Sequence, residues 1–194
     1  IRKANFIQCI SRYLADFAEK RGATCPIEVV PNGVDIDLFR TEYKDLEIKC
    51  LRENLGIKDE YVVLTTSRLV HKNGVDILIK AIAKLKETRP NIKLLIPTSK
   101  LSTNDKFSHS VLGIIKKLKI ENNVIIKADV FTIEDMPKVY ALSDMMVLPS
   151  YSEGLGIVLL EAMAMKKPVL ATNIPGVNEV VKQNKTGLLV PIKS

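Results

Sequence analysis

Residues 61–98 read YVVLTTSRLVHKNGVDILIKAIAKLKETRPNIKLLIPT, and this stretch decides the fold. An apolar, β-branched run at 61–67 passes through a short basic loop into a segment, 75–87, with helical spacing. There Ile77, Leu78, Ala81, Ile82 and Leu85 form one stripe, while Lys80, Lys84 and Lys86 turn to water. A second apolar run, 92–98, follows. Neither run alternates polar with apolar, so each predicts a strand covered on both faces, as in parallel sheets joined by helices. The same rhythm continues outward, with strands predicted at 124–130, 145–150, 168–172 and 187–190. Helices are predicted at 108–119, 133–142, 156–166 and 177–182. Six strands in this order predict an α/β, Rossmann-like domain: a parallel six-stranded sheet with helices on both faces and strand order 3-2-1-4-5-6.

The first 30 residues read differently: a strand at 6–10, a helix at 11–21 capped by Ser11, and a strand at 27–30. Pro31-Asn32-Gly33 is turn chemistry and marks a boundary. Residues 1–30 are therefore expected to be the tail of a preceding domain, and 31–194 the domain proper. The chain opens with Ile1 and shows no signal peptide, so it is read as a piece of something longer.

Composition narrows the function. The chain has 194 residues, 46% apolar and 26% charged, which suits a globular protein. A net charge of +7, scattered over several helices, favours anionic ligands without naming one. Aromatics are only 5% and do not interleave with the basic residues, so nucleic-acid binding is not expected. Lys116, Lys117 and Lys119 read as a solvated helix face that also suits an anionic membrane surface. No apolar run approaches a membrane span. Cys9, Cys25 and Cys50 are far apart and odd in number, which argues against disulfides or zinc and for a reducing cytosol. The Asn184-Lys185-Thr186 sequon carries little weight. His71 and His109 are expected at the surface, and the five methionines in the core.

The loop after the first strand contains neither a dinucleotide fingerprint nor a P-loop. It does place Arg68 and Lys72 just before a helix start, followed by Asn73 and Gly74. A helix N-terminus with two cations suits a diphosphate; the alternative is that Arg68 pairs with a surface carboxylate. The second constellation is Pro149-Ser150-Tyr151-Ser152-Glu153-Gly154-Leu155-Gly156-Ile157, which opens a helix whose single charge from Gly154 to Met165 is Glu161. A helix apolar all round is expected to be buried, and a buried carboxylate needs partners. Ligand hydroxyls, such as those of a ribose, and an internal Arg or Lys are the candidates. Gly154 and Gly156 bare the backbone at the helix start. In the expected strand order, the first and fourth strands are neighbours, and a crevice opens beyond their carboxyl ends. Both constellations then meet there.

Glu153 and Glu161, seven residues apart within Pro149-Ser150…Leu160-Glu161-Ala162-Met163-Ala164…Lys167-Pro168-Val169, resemble the signature of retaining glycosyltransferases of the group 1 (family 4) type. Pro31-Asn32-Gly33-Val34-Asp35…Phe39, Ser67-Arg68-Leu69-Val70, Leu142-Ser143-Asp144, Ala171…Gly176-Val177-Asn178-Glu179 and Thr186-Gly187-Leu188-Leu189-Val190 match in register. The resemblance implies the C-terminal half of a GT-B fold: a donor-binding domain at 31–194, with 1–30 a remnant of the acceptor domain and linker. It implies a hexosyl-type transferase in polysaccharide biosynthesis that moves a sugar, with retention and without a metal or other cofactor, from a nucleoside diphosphate-sugar to a glycan or lipid-linked acceptor. The acceptor is expected to bind through the missing N-terminal domain, so the fragment alone is expected to be inactive. The implied place is the cytoplasm, extending to the inner face of the membrane. By the same carry-over, Arg68 and Lys72 hold the diphosphate with Asn73 and Gly74, Glu161 the ribose, and Glu153 with Gly154, Leu155, Gly156 and Ile157 the sugar. Arg68, Lys72 and Glu153 are the catalytic candidates, and Val130 within Asp129–Phe131 lies near the base. Departures are Asn73 in place of a lysine, Pro97-Thr98-Ser99-Lys100 in place of a glycine-rich loop, Lys127-Ala128-Asp129 without its glycine, and Pro175 before Gly176. The competing readings are a nucleotide-sugar-binding module without transfer activity and a nucleotide-sugar epimerase of similar architecture.

Overall fold

The structure, a computed structural model, describes residues 4–40, 42–98, 106–128 and 130–192. A small β–α–β unit comes first: β1 (Ile7–Cys9), α1 (Arg12–Lys20) and β2 (Ile27–Val29), the two strands pairing in parallel as a separate sheet. Ser11 caps α1 as predicted, its hydroxyl accepting from the Leu14 N–H at 3.2 Å.

The larger unit contains α2 (Asp45–Asn54), β3 (Tyr61–Leu64), α3 (Val75–Thr88), β4 (Ile92–Thr98), α4 (Lys106–Lys117), β5 (Val124–Ala128), α5 (Met136–Leu142), β6 (Met145–Leu148), α6 (Ile157–Ala164), β7 (Val169–Thr172), α7 (Val177–Val180) and β8 (Leu188–Val190). The sheet order is β5-β4-β3-β6-β7-β8, all parallel, which is 3-2-1-4-5-6 in the unit's own count. The reversal falls between β3 and β6, where Val63 sits beside Met145 and Leu64 beside Met146. Asp144 fixes this register: its carboxylate accepts from the Val62 N–H at 2.6 Å, and its own N–H donates to the Val62 carbonyl at 2.9 Å.

Both faces of the sheet are buried, as the continuous apolar runs require. Val62 and Leu64 point into one core with Tyr140, Leu159 and Val177. Val63 points into the other with Val75, Ile79, Ile82 and Val111.

Four sequence expectations shift. Helix α2 was not anticipated; it buries no residue fully, laying Ile48, Leu51 and Leu55 against the core edge. It ends in a Schellman turn, with Gly56 at φ +68 and the Ile57 N–H donating to the Arg52 carbonyl at 2.8 Å. Helix α5 starts at Met136 because Asp135 first closes a turn, accepting from the Thr132 N–H and hydroxyl, both at 2.9 Å. Helix α6 starts at Ile157 because Gly156 is left-handed, at φ +79. The helix expected to be buried all round is only half so: Leu159 and Ala162 are buried, while Ile157, Val158 and Glu161 face a cleft.

Candidate functional site

The loops after β3 and β6 leave the same end of the sheet because the two strands are parallel neighbours. They are then tied together. The Tyr151 N–H donates to the Lys72 carbonyl at 2.7 Å. Gly74 lies so close to Pro149 that an added Cβ would fall on the Pro149 carbonyl oxygen. His71 meets the Tyr151 ring, with centroids 5.5 Å apart.

Within the β3 loop, Asn73 is buried and its side-chain amide donates to the Arg68 carbonyl at 3.0 Å. Asn73 therefore shapes the turn that carries Arg68 and Lys72, both of which are exposed. Gly74, at φ +63, is left-handed, and its close approach is to Pro149. Arg68 forms no ion pair with a carboxylate among the described residues, so the surface-pair alternative is not what the structure shows.

In the β6 loop, Gly156 supplies no capping side chain, so the Ile157 and Val158 N–H groups at the start of α6, on two residues that line the cleft, have no side-chain cap, while the Leu159 N–H donates to the Gly156 carbonyl at 2.9 Å. Gly176, at φ +85, backs this loop; a Cβ there would lie 2.6 Å from the Glu153 carbonyl oxygen and 2.7 Å from that of Gly154. Leu14 and Ile10 of the first unit face Gly154 from the other side.

Two pockets share this floor. One, of about 320 Å³, is lined by Arg68, Lys72, Asn73, Glu153, Ile157 and the Gly154–Gly156 turn. The other, of about 260 Å³, is lined by Arg68, Thr98, Phe131, Met136, Val158 and Glu161. Thr66, Arg68 and Val158 border both, so the two are halves of one cleft with a cation at the junction. Phe131 lines the second pocket, whereas Val130, 58% exposed, is not among its lining residues. Asp129, Ser99 and Lys100 lie outside the described residues.

Glu161 meets neither of the basic partners considered from the sequence. Its Oε2 accepts from the Tyr140 hydroxyl at 2.7 Å. Burial pushes the Glu161 carboxyl above the ordinary carboxylate range, and the Tyr140 hydrogen bond partly opposes that. Burial, with Glu161 next to it, raises the Tyr140 phenol well above its own ordinary value. Tyr140 was not anticipated. Nothing in the Met136–Leu142 run distinguishes it from a core aromatic, because its partner lies on another helix.

A larger cavity, about 790 Å³, opens at the opposite end of the sheet between α2 and the end of α6. Its inner cations are already engaged by backbone carbonyls: Arg52 donates to Lys58, Glu60 and Leu142, and Lys167 to Ala141. It holds none of the candidate site residues. No three His, Cys, Asp or Glu side chains gather to hold a metal among the described residues. No described helix is long and apolar enough to cross a membrane.

The family profile described as glycosyl transferases group 1 matches residues 48–194. The GDP-mannose-dependent alpha-(1-6)-phosphatidylinositol monomannoside mannosyltransferase of Mycolicibacterium smegmatis is 31% identical over 96% of this chain and 49% of its own length. The D-inositol 3-phosphate glycosyltransferase of Pseudarthrobacter chlorophenolicus is 29% identical over 94% and 41%. Among solved structures, HepE of Anabaena in complex with UDP and glucose superposes with a TM-score of 0.88, at 27% identity, covering 99% of this chain and 50% of that one. The chain thus spans about half the length of the curated relatives it matches.

Proposed function

Because the chain belongs to the group 1 glycosyltransferases, we propose that its cleft binds a nucleoside diphosphate-sugar, with base and ribose in the Glu161 pocket, diphosphate over Arg68 and Lys72, and sugar against Glu153 and the Gly154–Gly156 backbone. The observation that carries this reading is the shared position of Arg68 between the two pockets. A ligand with hydroxyls at one end, two negative charges in the middle and a sugar at the other end matches that layout. The name of the Anabaena neighbour, solved with UDP and glucose, supports the same class of donor.

In transfer, the bond from the anomeric carbon to the diphosphate breaks and the diphosphate leaves with the bonding pair. Charge grows on its oxygens. Arg68, Lys72 and the open N–H groups at the start of α6 are placed to meet that charge, and donors of this kind are each worth on the order of 10²–10³ in rate. On this reading the reaction retains configuration and needs no divalent metal. Glu153 holds the transferred sugar rather than attacking it. The acceptor, a glycan or lipid-linked sugar, binds the part of the protein that precedes residue 31, of which residues 1–30 are the tail. The mannosyltransferase relative, named for a phosphatidylinositol-linked acceptor, supports the lipid-linked case. The reaction takes place in the cytoplasm, extending to the inner face of the membrane. The 194 residues alone bind donor without transferring it.

Thermal unfolding with UDP, GDP and their sugar conjugates tests the donor reading. A ligand at 100 times its Kd stabilises the fold by about 2.7 kcal/mol. Glu161→Ala is expected to weaken nucleoside diphosphate and conjugate alike, whereas Glu153→Ala removes only the extra affinity of the conjugate. Equal losses in both variants would refute the separate roles. In the full enzyme, loss of activity with chelator and its return with Mn²⁺ would refute the metal-free mechanism.

A further inference from the structure

The geometry points to Tyr140 as the positioning residue of Glu161, holding one carboxylate oxygen so that the other is presented to the ribose hydroxyls; this rests on the donor reading above. Glu161 is half-buried on the cleft floor and has no cation against it among the described residues. A carboxylate with three rotatable bonds and no anchor would sample several rotamers, and ligand binding would have to freeze them. Tyr140 removes that freedom. Its ring is fully buried and stands edge-on to Phe39, with centroids 5.9 Å apart and planes at 69°. Its hydroxyl meets helix α6. There it lies 2.7 Å from Glu161 Oε2 and 3.3 Å from the Val158 carbonyl, so the shorter, charge-assisted bond takes the proton. Glu161 Oε1 accepts no hydrogen bond among the described residues. Its neighbours around the pocket are Thr66 and Arg68 from the β3 loop, Pro97 and Thr98 from β4, and Phe131 and Met136. Of these, Arg68 is the single formal charge, and it makes no bond to Glu161. The phenol thus grips the carboxylate from the core side and leaves the cleft side free for a diol.

A merely structural Tyr140 would affect every ligand equally; a positioning Tyr140 affects only ligands that carry the ribose hydroxyls. The test is calorimetric titration of the 194-residue chain with UDP and GDP and with their 2′,3′-dideoxy forms, at fixed pH and salt. Tyr140→Phe is expected to weaken the ribonucleotide that binds by about tenfold, the worth of one charge-assisted hydrogen bond, and to leave its dideoxy form unchanged. Glu161→Gln is expected to narrow the same ratio. If Glu161→Gln narrows the ratio and a folded Tyr140→Phe does not, the positioning role is overturned while the ribose reading stands. If neither narrows it, the ribose reading itself fails. Should Tyr140→Phe not fold, Glu161→Asp decides: it keeps the charge but draws the carboxylate back from the phenol, and full retention of ribose discrimination would overturn the proposal.

Discussion

Gly74→Ala is expected to disrupt both stability and ligand binding, for reasons that can be worked through from its surroundings. At φ +63 an alanine pays the left-handed penalty of about 1–2 kcal/mol. Its methyl group would also land on the Pro149 carbonyl oxygen, a backbone atom that cannot rotate aside. Relieving such overpacking costs typically about 1–3 kcal/mol. The sum, about 2–5 kcal/mol, is a large share of the 5–15 kcal/mol that usually separates folded from unfolded chains. For a chain of this size it corresponds to a fall in Tm of roughly 4–20 °C. Relief must come from parting the β3 and β6 loops, which also strains the 2.7 Å bond from the Tyr151 N–H to the Lys72 carbonyl. Nucleoside diphosphate affinity is therefore expected to fall at least tenfold in the molecules that remain folded. Urea unfolding and calorimetric titration measure the two effects. A loss below 1 kcal/mol with unchanged UDP and GDP affinity would refute the idea that this contact locks the cleft.

Gly113→Ala is the opposite case: Gly113 is exposed within α4 and nothing lies within 4 Å of where its Cβ would be. Urea unfolding is expected to show a gain of about 0.5–1 kcal/mol. Glu161→Gln is expected to raise the Tm of the ligand-free chain at neutral pH. The folded carboxyl is raised above its ordinary value of 4.5, so its favourable contribution is fully present below that value and lost as pH rises through the raised one. The variant removes this slope, and a pH series of Tm values that keeps it would count against the assignment. Glu179→Ala removes a carboxylate whose two oxygens accept from the Arg12 and Tyr13 N–H groups at 2.8 and 2.9 Å, across 167 and 166 residues of sequence. A loss of about 1 kcal/mol is expected, with faster amide exchange confined to α1; faster exchange spread across the larger sheet would mean that Glu179 does more than cap.

The larger sheet was legible because its signal is local and repeated. Residues 61–64 and 92–98 lack alternation since both faces are covered, and that alone implies parallel neighbours with helices between them. Helix α2 was missed although its cues are present: Asp45 and Glu47 in the first turn, Ile48, Leu51 and Leu55 at helical spacing, and Gly56 as the stop. Its stripe is narrow, Leu46 is 70% exposed, and it lies beside a turn-rich segment that masks the period.

For the site, what could be read were residue types that are costly without a partner. A carboxylate on an apolar helix and cations before a helix start each demand something to bind, and the strand order then brings them together. The identity of the partners could not be read the same way. Asn73 and Gly74 fit a ligand-facing loop equally well from sequence; in the structure Asn73 both lines the Arg68–Glu153 pocket and donates to the Arg68 carbonyl, while Gly74 makes room for Pro149. Tyr140 shows the same limit from the other side. It is 21 residues from Glu161, on a helix whose other buried members are purely structural. Only the crossover from α5 through β6 to α6 brings its hydroxyl to the carboxylate. Sequence periodicity reports which face of an element is buried, and a hydrogen bond between two such faces depends on how the elements are docked, so the groups proposed to touch ligand were readable while Tyr140, proposed to hold one of them in place, was not.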